Sequence, residues 1–276
     1  MRKTGLIVAA ATAALTLTLT ACDPGPTGGP PSAPATLAAP ATEVAQLVAA
    51  ARAGIAEAPS AAFTSAAVLG AATKDVPGSL SFDGSTSSLT MVVDGREIRV
   101  IGKKTFTHSP SVVPGKDWVG TDPDSADPIA QAAGAGVPAL VKLPDLGRAL
   151  VAIERTGRIV SAEQTRLGDL PVNHYRLELD TAKAPELFPE FAVPPLDGKP
   201  ARTATAKLPG ELWLDAARRP VRYAVDLTAG APAGARGDTT LKATTDYRDW
   251  GKPVDIQPPP AGQVVDLAEL LKKMGT

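Results

Sequence analysis

Proton transfer, nucleophilic attack and metal binding draw on few side-chain types, and this chain is poor in them. Its 276 residues include two histidines, His108 and His174, and one cysteine, Cys22. A hydroxyl nucleophile needs a base oriented by a third group. His174 alternates onto a polar strand face with Arg176 and Glu178, where solvation is expected, and His108 ends a strand at Ser109-Pro110. There is no G-x-S-x-G elbow, no H-E-x-x-H and no phosphate-cradling glycine loop. Gly134-Ala135-Gly136 runs into Val137-Pro138 and reads as a mobile lid. With 29 acidic residues, carboxylate pairs arise by chance. One thiol excludes a disulfide framework and a cysteine-based zinc site. The expectation is a protein that is not an enzyme and uses no metal and no cofactor.

The one thiol has a different chemistry open to it. Arg2 and Lys3 precede an apolar run from Leu6 to Thr20, too short to span a bilayer comfortably. The run ends in Leu19-Thr20-Ala21-Cys22, which resembles a bacterial lipobox, cut before the cysteine. Residues 1–21 are therefore expected to be a lipoprotein signal peptide and Cys22 a diacylglyceryl anchor. Each buried methylene contributes roughly 0.8 kcal/mol, so two chains hold a protein stably on a membrane. The expected location is the extracytoplasmic face of the cell membrane. Residues 22–40 continue as a Pro/Gly-rich tether, reaching roughly 55 Å at about 3.1 Å per residue.

Composition narrows the rest. A net charge of −1 lacks the basic excess that nucleic-acid binding needs, so no nucleic-acid partner is expected. With 44% hydrophobic and 21% charged residues the chain can fold, and 27 prolines favour a loop-rich, β-leaning fold over a helical bundle.

The elements that must position any site follow from periodicity. After Thr42 as expected N-cap, Val44, Leu47, Val48, Ala51 and Ile55 mark one helix face, ended by Pro59. From Ala61 the period becomes two. Leu89 to Ile101 reads as a hairpin about a type I′ Asp94-Gly95 turn, with Leu89, Met91, Val93, Ile98 and Val100 on one face and Thr90, Glu97 and Arg99 on the other. A second hairpin turns at Gly168-Asp169 and aligns Tyr175, Leu177 and Leu179. A third crosses Ala216 to Pro220 and aligns Val221, Tyr223, Val225 and Leu227. Thr239 to Tyr247 is a further strand. Strands apolar on one face only belong to an antiparallel sheet with one wet side. Helices are expected over Asp127–Ala133, after Pro144-Asp145 with Leu146, Ala149, Leu150 and Ile153 inward, and over Asp266–Met274 with Leu267, Leu270 and Leu271 inward. Residues 41–276 are read as one domain.

Three stretches look familiar together. Leu212-Trp213-Leu214-Asp215 with Arg219-Pro220-Val221-Arg222 and Gly168 to Tyr175 resemble hairpins, and Thr245 to Gly251 with Pro253-Val254-Asp255-Ile256 and Pro258-Pro259 resembles the closing strand, of actinobacterial LolA-like lipoproteins of the LppX/LprG type. In the Gly168 to Tyr175 hairpin, Leu167-Gly168-Asp169-Leu170 replaces the usual Val-Gly pair. The likeness covers roughly residues 42–265 and its motifs are structural. It implies an α+β fold, a strongly curved antiparallel half-barrel wrapped over helices with an apolar cavity. It further implies that a lipid or acylated molecule is bound there and carried or chaperoned across the cell envelope.

The cavity wall is expected at Leu89, Met91, Val93, Ile98, Val100, Tyr175, Leu177, Leu179, Val221, Tyr223 and Val225. Each of these is equally readable as filled core, because a sheet face does not reveal what covers it. Trp213, on the opposite face, reads as an interface anchor or as cover for a sheet edge, whereas Trp118 and Trp250 are expected to close the ends of the core. The alternative function is a sensory or interaction lipoprotein that reports envelope state to a membrane protein partner, since that role needs the same concave face.

Overall fold

One-sided strands need a cover, and the order of elements supplies it. The computed structural model describes residues 36–69, 72–84, 86–125, 139–188, 192–193, 202–203, 206–230 and 240–274. Cys22, the expected Asp127–Ala133 helix and Gly134 to Pro138 lie outside the described residues. Helix α1 (Val44–Glu57) leads into β1 (Ser60–Leu69), β2 (Ala72–Asp83), β3 (Thr86–Val93), β4 (Arg96–Ile101), β5 (Lys104–Val113) and β6 (Lys116–Thr121). A short α2 (Ala139–Lys142) and α3 (Leu146–Thr156) follow, then β7 (Gly157–Leu167) and β8 (Leu170–Asp180). Next come β9 (Ala192–Val193), β10 (Arg202–Thr203), β11 (Lys207–Leu214), β12 (Pro220–Asp226), β13 (Leu241–Arg248), β14 (Val264–Asp266) and α4 (Leu267–Met274).

Twelve strands form one curved, unclosed sheet in the order β14-β6-β5-β4-β3-β2-β1-β13-β12-β11-β8-β7, antiparallel except where β14 runs parallel to β6. β9 and β10 pair separately. The hairpin expected at Asp94-Gly95 has the expected register, with Leu89 opposite Val100, Met91 opposite Ile98 and Val93 opposite Arg96. Asp94 and Gly95 have φ of 51° and 74°, as a type I′ turn requires. The hairpin β7–β8 turns at Gly168-Asp169, and β11–β12 crosses Ala216 to Arg219 with a bulge at Trp213/Leu214.

The inner face carries Leu89, Met91, Leu177, Leu179, Leu208, Leu212, Ala243 and Tyr247, all buried. Helices α1 and α3 cover it through Leu47, Val48, Ala51 and Ile55, and through Leu146, Ala149, Leu150 and Ile153. Burying each such leucine or isoleucine stabilises the fold by about 1.5–3 kcal/mol relative to exposure. α1 begins one residue later than expected: Glu43, not Thr42, is its N-cap, without a side-chain bond. α3 begins as expected, with Asp145 Oδ1 accepting from the Arg148 N–H at 3.0 Å.

Three further sequence expectations are corrected. Leu271 is 39% exposed instead of inward. The eight-residue α4 sits at the sheet edge beside β14 and β6 and packs through Ala268, so its buried stripe is one residue wide. Trp118 is buried on the outer face, not at an end of the core, with the Arg99 guanidinium 4.6 Å from its ring centre and the His108 ring at 5.0 Å. Residues 251–263, running from β13 to β14, pass this face, where Arg99 Nη1 donates to Gln257 O at 2.8 Å. Trp250 does close the core, donating from Nε1 to Pro220 O at 3.0 Å.

The third correction is His174, which is 8% exposed where solvation was expected. Alternation places it correctly on the outer face, but the register sets Trp213 beside it, and the two rings stack at 4.4 Å and 4°. Its Nε2 lies 2.6 Å from Glu211 Oε2 and its Nδ1 3.5 Å from Glu163 Oε1. Trp213 is thus cover for a neighbouring strand.

Candidate functional site

Two of the open spaces in the molecule flank α3. Its N-terminal turn is fixed from three sides: Asp145 caps it, Ser87 Oγ of β3 donates to Asp145 Oδ1 at 2.5 Å, and the buried Tyr247 hydroxyl donates to Pro144 O at 3.1 Å. Burial pushes the Tyr247 phenol well above its ordinary value, and the nearby Asp145 charge adds to the shift.

On one flank of α3, a groove of about 510 Å³ opens between α1, α3 and the tip of the β2–β3 hairpin. Ile55, Ala56, Pro59, Phe82, Leu150 and Val151 make it apolar, with Arg52 and Asp83 also on its wall. Arg52 is neutralised by Glu154 through two bonds of 2.8 and 2.7 Å, and that hydrogen bonding holds the Glu154 carboxyl below its usual range. The volume is that of a small-molecule site, and the lining suits an apolar ligand. On the other flank lies a recess of about 40 Å³ under α3, walled by Leu179, Tyr223, Val225, Leu227 and Phe188, with Lys142, Asp145 and Arg148 also lining it.

The eleven residues expected to form a cavity wall divide by place. Leu179, Tyr223 and Val225 line the recess. Leu89, Met91, Tyr175 and Leu177 are buried in the packed core beneath the helices, and Val100 packs against that core half-buried. Val93 and Ile98 line a pocket at the hairpin end with Arg96 and Thr107. Val221 sits apart from the main core, in a crevice with Leu167, Leu170 and Trp250. The structure therefore brings three of them to open space under α3. The groove residues Ile55, Phe82, Leu150 and Val151 were not singled out as wall. Helical periodicity put Ile55 and Leu150 inward, but only tertiary packing shows that they face a groove.

Residues 36–41 lie across the β7–β8 end of the inner face. Ala38 O accepts from Gln164 Nε2 at 2.9 Å and Asn173 Nδ2 at 3.0 Å, and the Ala41 N–H donates to the Tyr175 hydroxyl at 3.0 Å. Burial raises the Tyr175 phenol above its ordinary value. Neither histidine bonds a hydroxyl or thiol nucleophile in the contacts above. Among the described residues, no group of three or more His, Cys, Asp or Glu side chains could hold a metal ion, and no helix is long and apolar enough to cross a membrane.

Taken together, sheet and helices define an open antiparallel half-barrel with α1 and α3 against the inner face and an apolar groove beside them. No family model matches the chain, and no curated protein does. Solved structures similar to it include mycobacterial lipoproteins and LolA-superfamily proteins. LprF from Mycobacterium bovis is 17% identical, covering 79% of this chain and 97% of its own, with a TM-score of 0.41. The lipoprotein LppX from Mycobacterium tuberculosis is 10% identical over 78% of this chain and 98% of its own, with a TM-score of 0.43. A LolA superfamily protein from Nitrosomonas europaea is 12% identical over 80% and 96%, with a TM-score of 0.31.

Proposed function

We propose that this protein is an extracytoplasmic lipoprotein, anchored by a diacylglyceryl group on Cys22, that binds a lipid or acyl chain beside α3 and carries or chaperones it across the cell envelope. The observation that carries the reading is the apolar groove of about 510 Å³ between α1, α3 and the β2–β3 tip. A chain entering it leaves water at roughly 0.8 kcal/mol per methylene, with no polar group to desolvate along most of the wall. Leu179, Tyr223 and Val225 extend the apolar surface on the other flank of α3. Of the remaining wall candidates, Leu89, Met91, Val100, Tyr175 and Leu177 belong to the packed core behind this surface, whereas Val93, Ile98 and Val221 lie away from it.

Native mass spectrometry of the full chain purified from its own host tests the reading. The expected result is a co-purifying lipid that an added acyl probe displaces. If no lipid is retained and no acyl probe binds, the carrier function is wrong.

A further inference from the structure

The volume of the groove between α1 and α3 limits what can fill it. A methylene displaces close to one water's share of liquid volume, about 30 Å³, so the groove's space of about 510 Å³ admits about seventeen such groups. That is one acyl chain of ordinary membrane length, and a second chain of that length has no place beside it. α3 separates the groove from the recess on its other flank, which at about 40 Å³ takes about one methylene. The crevice at Val221 is as large as the groove, about 500 Å³, but half of its lining residues are ionic: Asp215, Arg219, Asp246, Arg248 and Asp249. A chain lying there would strip water from those charges, and desolvating an ionised group costs more than burying a few methylenes returns.

Charge along the groove bears on the head that such a chain carries. Among the described lining residues Arg52 is the only cation, and Glu154 closes it through two bonds of 2.8 and 2.7 Å. Asp83 adds a carboxylate to the same wall. An anionic head would meet a neutralised guanidinium and a like charge, so the groove offers it no attraction. We infer that the ligand is a monoacyl amphiphile with no net negative charge on its head, held by its single chain along Ile55, Phe82, Leu150 and Val151 while the head stays in water. This inference rests on the carrier reading and narrows it from lipids at large to single-chain ones. Selection is then by the number and length of chains.

Competition between one-chain and two-chain lipids with the same head tests this. The full chain is equilibrated with neutral detergent micelles containing equal amounts of palmitoyl-lysophosphatidylcholine and dipalmitoyl-phosphatidylcholine, and the retained lipids are counted by native mass spectrometry. The lysolipid should exceed the diacyl lipid by about tenfold or more, because leaving even two methylenes of a second chain in water costs about that factor. Across lysophosphatidylcholines from lauroyl to arachidoyl, retention should hold as far as stearoyl and fall beyond it. Ala56 is exposed on α1 and lines the groove, so Ala56→Trp puts an indole into the open space. The length limit should then move to myristoyl or shorter at an unchanged melting temperature. Val151→Phe narrows the groove from the α3 side and decides the matter if Ala56→Trp lowers the melting temperature. Palmitoyl-lysophosphatidylglycerol should be retained no better than its phosphatidylcholine counterpart. A lysolipid excess below about tenfold, a length limit that neither variant moves, or a preference for the anionic head overturns the inference and leaves the carrier reading standing. Retention of no lipid at all overturns the carrier reading and this inference with it.

Discussion

At the scale of single residues, close approach and burial set the largest expected effects. Gly54 lies where α1 crosses the β11–β12 turn, and a Cβ there would stand 2.6 Å from Arg218 C and O. Alanine is the better helix former by about 1 kcal/mol. Overpacking against rigid backbone costs about 1–3 kcal/mol, and it should win. Gly54→Ala is expected to lower stability by up to about 2 kcal/mol in urea unfolding, and an unchanged midpoint would show that α1 lifts at no more cost than the helix propensity offsets. Tyr247 makes a second, pH-dependent case. Its phenol is raised by burial, so its contribution is intact below the ordinary tyrosine value near 10 and is lost as pH rises from there towards the folded value. In that interval the unfolded chain releases a proton that the folded chain holds, at about 1.4 kcal/mol per pH unit. Unfolding followed at pH about 9 and about 11 should show this decline. Tyr247→Phe, which loses the bond to Pro144 O, should be less stable at the lower pH but decline less steeply.

At the scale of elements, α3 is held by its first turn. Asp145→Ala removes the N-cap and the Ser87 bond together and should cost about 0.5–2 kcal/mol. Hydrogen exchange should speed up first at the amides of Gly147 to Ala149, and uniform protection there would mean that packing alone fixes the helix. This cap was legible in the sequence, because Pro144-Asp145 before an apolar period of 3.6 is a local signal. So was the β3–β4 register, fixed by a two-residue turn and a matching alternation. What was not legible depends on which distant elements meet. β1 pairs with β13, and β8 with β11, through contacts that leave no local trace. His174 was placed on the correct face, but its burial comes from Trp213 and Glu211, 37 to 39 positions further along the chain on a neighbouring strand. The expected wall came from strands alone, so the helix residues that shape the groove stayed out of view. Strand alternation says which side is apolar; only the helices say where that side is filled and where it is open.

At the scale of the whole molecule, the proposed function turns on how the half-barrel is kept beside a membrane. The first described residues are already part of the domain, since Ala38 O is bonded by Gln164 and Asn173 of β7 and β8 and Ala41 N–H by Tyr175. The linker between Cys22 and these contacts is therefore shorter than composition alone suggests, roughly 45 Å at about 3.1 Å per residue if extended. A tether of that reach keeps the carrier near the membrane surface, and it does so only if Cys22 is acylated. Two acyl chains give stable anchoring, whereas none leaves a chain with a net charge of −1 and no basic excess to bind anionic lipid headgroups by electrostatics. Cys22→Ala should accordingly lose labelled palmitate and either accumulate as precursor or leave the membrane fraction, with the folded domain's melting temperature unchanged. A variant that still sediments with membranes, set beside a wild type that takes up no palmitate, would remove the anchor from the proposed function. The proposed binding in the apolar groove would still stand, but the protein would have to meet its ligand by diffusion.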